Sequence, residues 1–151
     1  MQINIKVEGL NEVQKKLKVT ADKLKNMTQF WDSVGRYVQR QTIKERFDKE
    51  QSPDGQKWKP LAPSTVKHRK KRHKKGNMKI LQDTGELRRS VTYEAGDNFV
   101  KVGSKLKYAR THQFGRKNIP ARPFLGVNDM EKQHITLMFR QYVKRHVMGG
   151  G

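Results

Sequence analysis

Lys67-His68-Arg69-Lys70-Lys71-Arg72-His73-Lys74-Lys75 carries seven lysines and arginines in nine positions and no acid. Such a block repels itself and stays mobile until an anionic partner neutralises it. Any core must therefore come from the segments on either side, and these are not rich in apolar residues. Of the 151 residues 33% are hydrophobic and 32% charged, and the formal net charge is +20. A chain of this length is a prior for one domain, placed here at residues 1–148, with Gly149-Gly150-Gly151 as a flexible tail. So thin a core suits a sheet with helices on one face, or a subunit that borrows burial from neighbours.

A compact monomer with this charge repels itself, and a polyanion relieves the repulsion. Nucleic acid is the first candidate and an anionic membrane surface the second. There is no cysteine, which excludes disulfides and thiolate metal sites. The N-terminus alternates polar and apolar residues instead of running from basic to apolar, so it is not a signal peptide. No apolar stretch approaches the roughly 20 residues of a membrane span. A soluble protein made and kept in a cytoplasm is expected.

Ile3, Ile5 and Val7 alternate with polar residues and predict a half-buried strand ended by Gly9. Leu10, Val13, Leu17, Ala21 and Leu24 then form a narrow helical stripe. A second helix is predicted from Thr28 to about Lys49, with Phe30, Trp31, Val34, Tyr37 and Val38 on one face. Ile43 and Phe47 fall on nearly the opposite side, so the end of this helix meets a second layer, either the following loop or another subunit. Ser52-Pro53-Asp54-Gly55 is a turn, and Trp58 and Leu61 anchor the loop around it. Ser64 is placed as the cap of a short helix entering the basic run. Asp83-Thr84-Gly85-Glu86-Leu87 reads as a capped helical turn, the two acids serving the helix start.

Two strands follow, around Val91–Tyr93 and Phe99–Val102, with Gly96-Asp97-Asn98 as the hairpin turn. Lys107 to Phe114 is a short helix closed by Gly115. Pro120-Ala121-Arg122-Pro123 is extended, Phe124 to Val127 a further strand, and Asn128 caps a last helix. On that helix Ile135, Met138, Phe139, Tyr142, Val143 and His146 share a face. The fold class expected is α+β, a small antiparallel sheet with helices mainly on one face, plus a mobile basic loop.

No catalytic constellation stands out. His68 and His73 lie inside the basic run, and His134 and His146 are twelve apart without a zinc-binding spacing, so no metal site is expected. The serines sit in no nucleophile-elbow sequence. The acids do not cluster as a nuclease would need to hold Mg²⁺. His112 has the most suggestive setting, but acid–base chemistry needs a positioned partner and none can be named. A packed imidazole is the reading adopted. Neither an enzyme nor a cofactor is expected. The basic run suits phosphates, which reward charge without demanding sequence.

Three spaced groups of residues carry a resemblance. The first is Phe47 with Ser52-Pro53-Asp54-Gly55-Gln56-Lys57-Trp58-Lys59-Pro60-Leu61 and Ser64-Thr65. The second is Ile80-Leu81 with Thr84-Gly85-Glu86-Leu87-Arg88-Arg89-Ser90. The third is Val102-Gly103-Ser104, Tyr108-Ala109, His112-Gln113-Phe114-Gly115 and Ile119-Pro120-Ala121-Arg122-Pro123-Phe124-Leu125-Gly126. In this order, over roughly residues 30–146, they are similar to the virion morphogenesis, or tail-completion, family of tailed bacteriophages.

The resemblance implies a virion structural protein of the neck or tail end, assembled in the host cytoplasm. It implies a homo-oligomeric, hexameric ring between connector and tail-tube proteins, with genome DNA passing through. Lys67, Arg69, Lys70, Lys71, Arg72, Lys74 and Lys75 are then expected to face that DNA without reading its sequence. Trp58, Leu61, Gly85, Leu87, Tyr108, His112, Phe114, Gly115, Pro120, Arg122, Pro123 and Phe124 are the expected assembly residues. Within that set, Gly85 and Gly115 terminate helical turns. Arg122 pairs with an acid across a subunit boundary. Phe124 lies on a rigid segment docked on the sheet or on a neighbour. A free, sequence-independent nucleic-acid-binding protein is the alternative, and a nuclease a weaker third.

Overall fold

A computed structural model describes residues 1–5, 24–72 and 77–148. Val7, the stripe from Leu10 to Ala21, Lys74, Lys75 and the glycine tail lie outside the described residues. Strand β1 (Gln2–Asn4), β2 (Thr92–Ala95) and β3 (Val100–Gly103) form one antiparallel sheet in the order β1-β3-β2. Ile3 and Tyr93 both register on Val102, and Asn4 and Glu94 both on Lys101. Because strand side chains alternate between faces, Ile3, Val102 and Tyr93 share the covered face with Val100 and Ala95. The other face presents Gln2, Asn4, Thr92 and Glu94 to solvent. The β2–β3 hairpin turns where the sequence places it, closed by Gly96 N–H donating to the Phe99 carbonyl at 2.9 Å.

Helix α1 (Thr28–Gln41) covers the sheet. Met27 is its N-cap residue, and Asn26 just before it accepts from the Thr28 amide through Oδ1 at 3.1 Å. Phe30, Trp31, Val34 and Val38 are buried, as the helical period predicts. Gly35 lets the helix approach β2, since a Cβ there would lie 2.3 Å from the Tyr93 ring. The long helix expected to Lys49 changes character after Gln41. Residues Thr42–Phe47 form a π-helical turn, and the Asp48 amide donates to the Ile43 carbonyl at 3.0 Å. That turn carries Phe47 into a second apolar layer. Phe47 is fully buried, with its ring centroid 5.6 Å from both Trp58 and Phe124. The following loop and the segment after Pro123, within the same chain, are therefore its partners.

Helix α2 (Pro63–Arg72) begins at Pro63, a favoured first helical residue because its missing N–H is not needed there. It begins before Ser64, so Ser64 is not its cap. Helix α3 (Glu86–Ser90) follows a bend, and α4 (Ala109–Phe114) follows the hairpin. Helix α5 (Asp129–Val143) then packs on α1, with Phe30 and Phe139 edge-on at 5.5 Å. A capping box on Asn128 starts α5. Its Oδ1 accepts from the Glu131 amide at 2.9 Å, and the Glu131 carboxylate accepts from the Asn128 amide at 3.0 Å. Ile135, Phe139 and Val143 are buried, Met138 and Tyr142 half-buried, and His146 is exposed with its ring centroid 4.6 Å from that of Tyr142. No helix of the described residues is long and apolar enough to cross a membrane.

The strand expected at Phe124–Val127 is not formed. The Phe124 and Leu125 amides each donate at 3.0 Å to Oε1 of Gln113, and the Gln113 side-chain amide donates to the Leu125 carbonyl at 2.9 Å. A side chain thus takes the bonds that a neighbouring strand would have taken.

Candidate assembly surface

The three motif groups meet on one side of the molecule. The first begins with a small closed loop. Gly55, at φ +86°, completes a turn by donating to the Ser52 carbonyl at 2.9 Å, and the Trp58 amide donates to the Glu50 carbonyl at 2.9 Å. Trp58 is buried against Phe47, and its indole N–H donates to the Pro123 carbonyl at 2.8 Å. The first motif is therefore fastened to the third by one side chain.

Arg122 fastens them again. It is buried, donating from Nε to the Lys59 carbonyl and from Nη2 to the Pro60 carbonyl, each at 2.8 Å. Its backbone amide donates to the His112 carbonyl at 2.7 Å. The acid across a subunit boundary is therefore replaced by carbonyls of the same chain. The fixed guanidinium fork bridges two consecutive carbonyls from two separate nitrogens, a geometry that a lysine's single nitrogen does not reproduce. Phe124, fully buried between Phe47 and the Gln113 clamp, belongs to the core rather than to an interface.

The second motif has a different logic from the one expected. Gly85, at φ +76°, precedes α3 and opens it instead of ending a turn. Leu87 is buried beneath that helix. Asp83 does not serve the helix start. Its carboxylate pairs with Arg72, and its Oδ1 lies 3.7 Å from Nε of Arg69. Glu86 does stand in the first turn of α3, and it also accepts from the Tyr108 hydroxyl at 2.6 Å. Burial first, and then this bond and the Glu86 charge, push the Tyr108 phenol up to about 12. Gly115 does close a helix, at φ +76°, its amide donating to the Thr111 carbonyl at 2.8 Å.

The basic run is more ordered than its composition suggests. Residues 67–72 are helical, as part of α2. Arg69 is buried, donating from Nη1 to the Asn77 and Lys79 carbonyls at 2.9 and 2.8 Å. Arg69 thus cannot face DNA, because its charge is spent inside the fold. Its long stem lets it leave the basic face and fasten the chain beyond the run. Lys67, Lys70 and Lys71 remain exposed, at the i, i+3 and i+4 positions of one helical face.

Leu61, Arg69, Gly85, Leu87, His112 and Arg122 line a cleft of about 490 Å³, joined by Tyr108, Pro120 and Ile119. His112 edges onto the Tyr108 ring at 5.8 Å. Its Nδ1 is buried without a hydrogen-bond partner. Burial, and then the Arg122 charge, hold the imidazole below its ordinary 6.5. His112 is therefore a neutral packed ring beside a permanent cation. Among the residues lining the cleft Tyr108 is 41% exposed and Ile119 42%, and Phe114, on the same helix as His112, is 64% exposed. Among the described residues no group of three or more histidines and acids is placed to hold a metal.

Gln113 and the Arg46–Glu131 pair are the residues that sequence reasoning passed over. Gln113 sits inside the third motif, so its place was visible while its role was not. Arg46 and Glu131 lie 85 positions apart, and no local pattern marks them as a pair.

The phage virion morphogenesis family matches residues 8–144. Over 92 residues the chain is 40% identical to "Mu-like prophage FluMu G protein 1" of Haemophilus influenzae, covering 60% of this chain and 62% of that protein. Over 111 residues it is 29% identical to "Putative capsid assembly protein G" of Escherichia phage Mu, covering 68% and 70%. The match thus spans less than two thirds of the first relative's length. No solved structure matches the chain significantly.

Proposed function

Because the chain belongs to the phage virion morphogenesis family, we propose that it is a structural subunit of the neck or tail end of a tailed-phage particle. In this reading it completes the tail or joins it to the head, and performs no chemistry of its own. Copies assemble as a ring, hexameric in form, between connector and tail-tube proteins. Genome DNA passes through that ring, and Lys67, Lys70 and Lys71 face its phosphates, extended by Lys74 and Lys75. Contact of this kind neutralises charge without reading bases.

The observation that carries the reading is the convergence of the three motif groups on one cleft lined by exposed Tyr108 and Ile119, with Phe114, on α4, exposed as well. Apolar side chains gathered at an exposed rim signal a contact surface. Buried Trp58 and Arg122 and half-buried Gln113 hold its backbone rigid. The phage Mu relative, named for capsid assembly, supports an assembly role.

The exposed lysine face of α2 also favours a second reading, a free nucleic-acid-binding protein. The mass of the purified chain in solution, by light scattering at physiological salt, separates the two. A particle of several copies is expected. A monomer that shifts duplex DNA in a salt-dependent manner would support the second reading instead.

A further inference from the structure

Met130 is the most exposed large apolar side chain of the described residues, at 80%. It stands in the first turn of α5, just after the capping box on Asn128, so its backbone is held firmly. Phe139, nine residues on, is buried against the core. At about 100° per residue the two point in opposite directions, and Met130 faces away from the fold. Asp129 precedes it, with its side chain 96% exposed and Lys132 no nearer than 3.9 Å. The tip of α5 is therefore an apolar knob with a weakly engaged carboxylate at its side.

The cleft beside α4 has the matching character. Leu61, Leu81, Leu87, Ile119 and Pro120 give it apolar walls. Its own acids, Asp83 and Glu86, are taken by Arg72 and by the Tyr108 hydroxyl. One wall is a closed turn, in which the Arg116 amide donates to the Ile119 carbonyl at 2.9 Å and the Ile119 amide donates back at 2.7 Å. Around that turn Arg110, Arg116 and Lys117 are exposed, and no ion pair among the described residues engages them. A volume of about 490 Å³ has room for a methionine, whose unbranched side chain fills irregular gaps. One surface of this chain thus lacks a carboxylate and an apolar filling, and another surface of the same chain displays both. Complementarity of this kind fixes partner and register.

We infer that Asp129-Met130 at the tip of α5 seats in the cleft of a second copy, with Met130 between the apolar walls and Asp129 against Arg116 and Lys117. Knob and cleft are different surfaces, so the contact is heterologous, and its repetition generates a ring where the rotation closes. The inference rests on the ring reading and names what joins one copy to the next.

The chain has no cysteine, so single thiols report the contact directly. Purified Met130→Cys and Ile119→Cys chains, both altered at exposed positions, are mixed at physiological salt and treated with a short bis-maleimide. The expected product is a covalent dimer holding one chain of each kind. Its yield should be at least tenfold above that from Met130→Cys mixed with Thr92→Cys, a position on the open face of the sheet. Light scattering supplies a second readout. D129K and R116E/K117E should each be monomeric at concentrations where the parent is assembled, and an equal mixture of the two should reassemble, because each then meets the opposite charge. An assembled parent without the mixed dimer, a preference of Ile119→Cys for its own kind, or charge variants that fail to rescue each other would overturn the inference and leave the ring reading standing. A purified parent that stays monomeric, with particles that lack the chain, would overturn both.

Discussion

Arg46 and Glu131 meet in a buried two-pronged pair, Nη1 to Oε1 at 2.5 Å and Nη2 to Oε2 at 2.7 Å. Arg46 also donates to the Gly126 carbonyl at 3.1 Å, and Glu131 closes the capping box of α5. One ion pair thus joins the π-helical turn, the end of the third motif and the last helix. Removing one partner strands a charge in a site that water barely reaches. Glu131→Gln is expected to cost about 3–5 kcal/mol. The double replacement R46M/E131L should cost less than the worse single one, because no charge is left unpaired. Urea denaturation of the three variants checks the order.

Arg122 should behave as a structural tie. Arg122→Lys keeps the charge but replaces the two donor nitrogens on the Lys59 and Pro60 carbonyls with a single one on a flexible stem. Its loss of stability should be about 1.5–3 kcal/mol, the scale of hydrogen bonds to a charged group. Thermal unfolding followed by tryptophan fluorescence reports it directly, since Trp58 is fastened to the neighbouring Pro123 carbonyl. A Lys variant as stable as the parent would return Arg122 to the intersubunit role that its motif suggests.

Gly115 is expected to tolerate no side chain. Its φ of +76° costs an alanine about 1–2 kcal/mol. The added Cβ would also lie 2.8 Å from the Ala121 amide nitrogen. Gly115→Ala should therefore lower the melting temperature by several degrees. Gly55→Ala has a left-handed φ but open space, so its loss should be the smaller one.

His112 gives stability a pH slope. Its folded pKa lies below the ordinary 6.5 of the unfolded chain, so between those values the unfolded state binds more protons. The contribution is fully present above 6.5. It is lost as pH falls towards the folded value, and levels off below it. Denaturation midpoints of wild type and His112→Gln, compared from pH 8 down to pH 5, should converge as the pH falls. Parallel curves would mean that the imidazole stays neutral, or stays exposed, in both states.

The elements legible in the sequence were those set by local chemistry. Asn128 announces the start of α5, Gly96-Asp97-Asn98 announces the hairpin, and the spacing of Phe30, Val34 and Val38 announces the buried face of α1. What escaped depended on distant partners. Arg69 looks like one more cation of a solvated run until the chain beyond it folds back with carbonyls to be satisfied. Phe124 to Val127 has the composition of a strand, and only the Gln113 side chain decides otherwise. For the candidate surface the motif positions were visible and their division of labour was not. Trp58, Arg122 and Phe124 build the support, while Tyr108, Phe114 and Ile119 are what that support displays.

The basic helix should also divide. Replacing Lys67, Lys70 and Lys71 with serine should leave stability nearly unchanged, because all three side chains are exposed. Duplex DNA retention should weaken, and its salt slope should fall by about 0.9 for each phosphate that is no longer neutralised. Replacing Arg69, which is buried, should destabilise the fold instead.

Electron microscopy of particles, with this chain located in the density, tests the central claim most directly. The account predicts a closed ring of copies at the neck or tail end, with α2 and its lysines turned to the channel. Finished particles that lack the chain, together with a purified chain that stays monomeric, would contradict it.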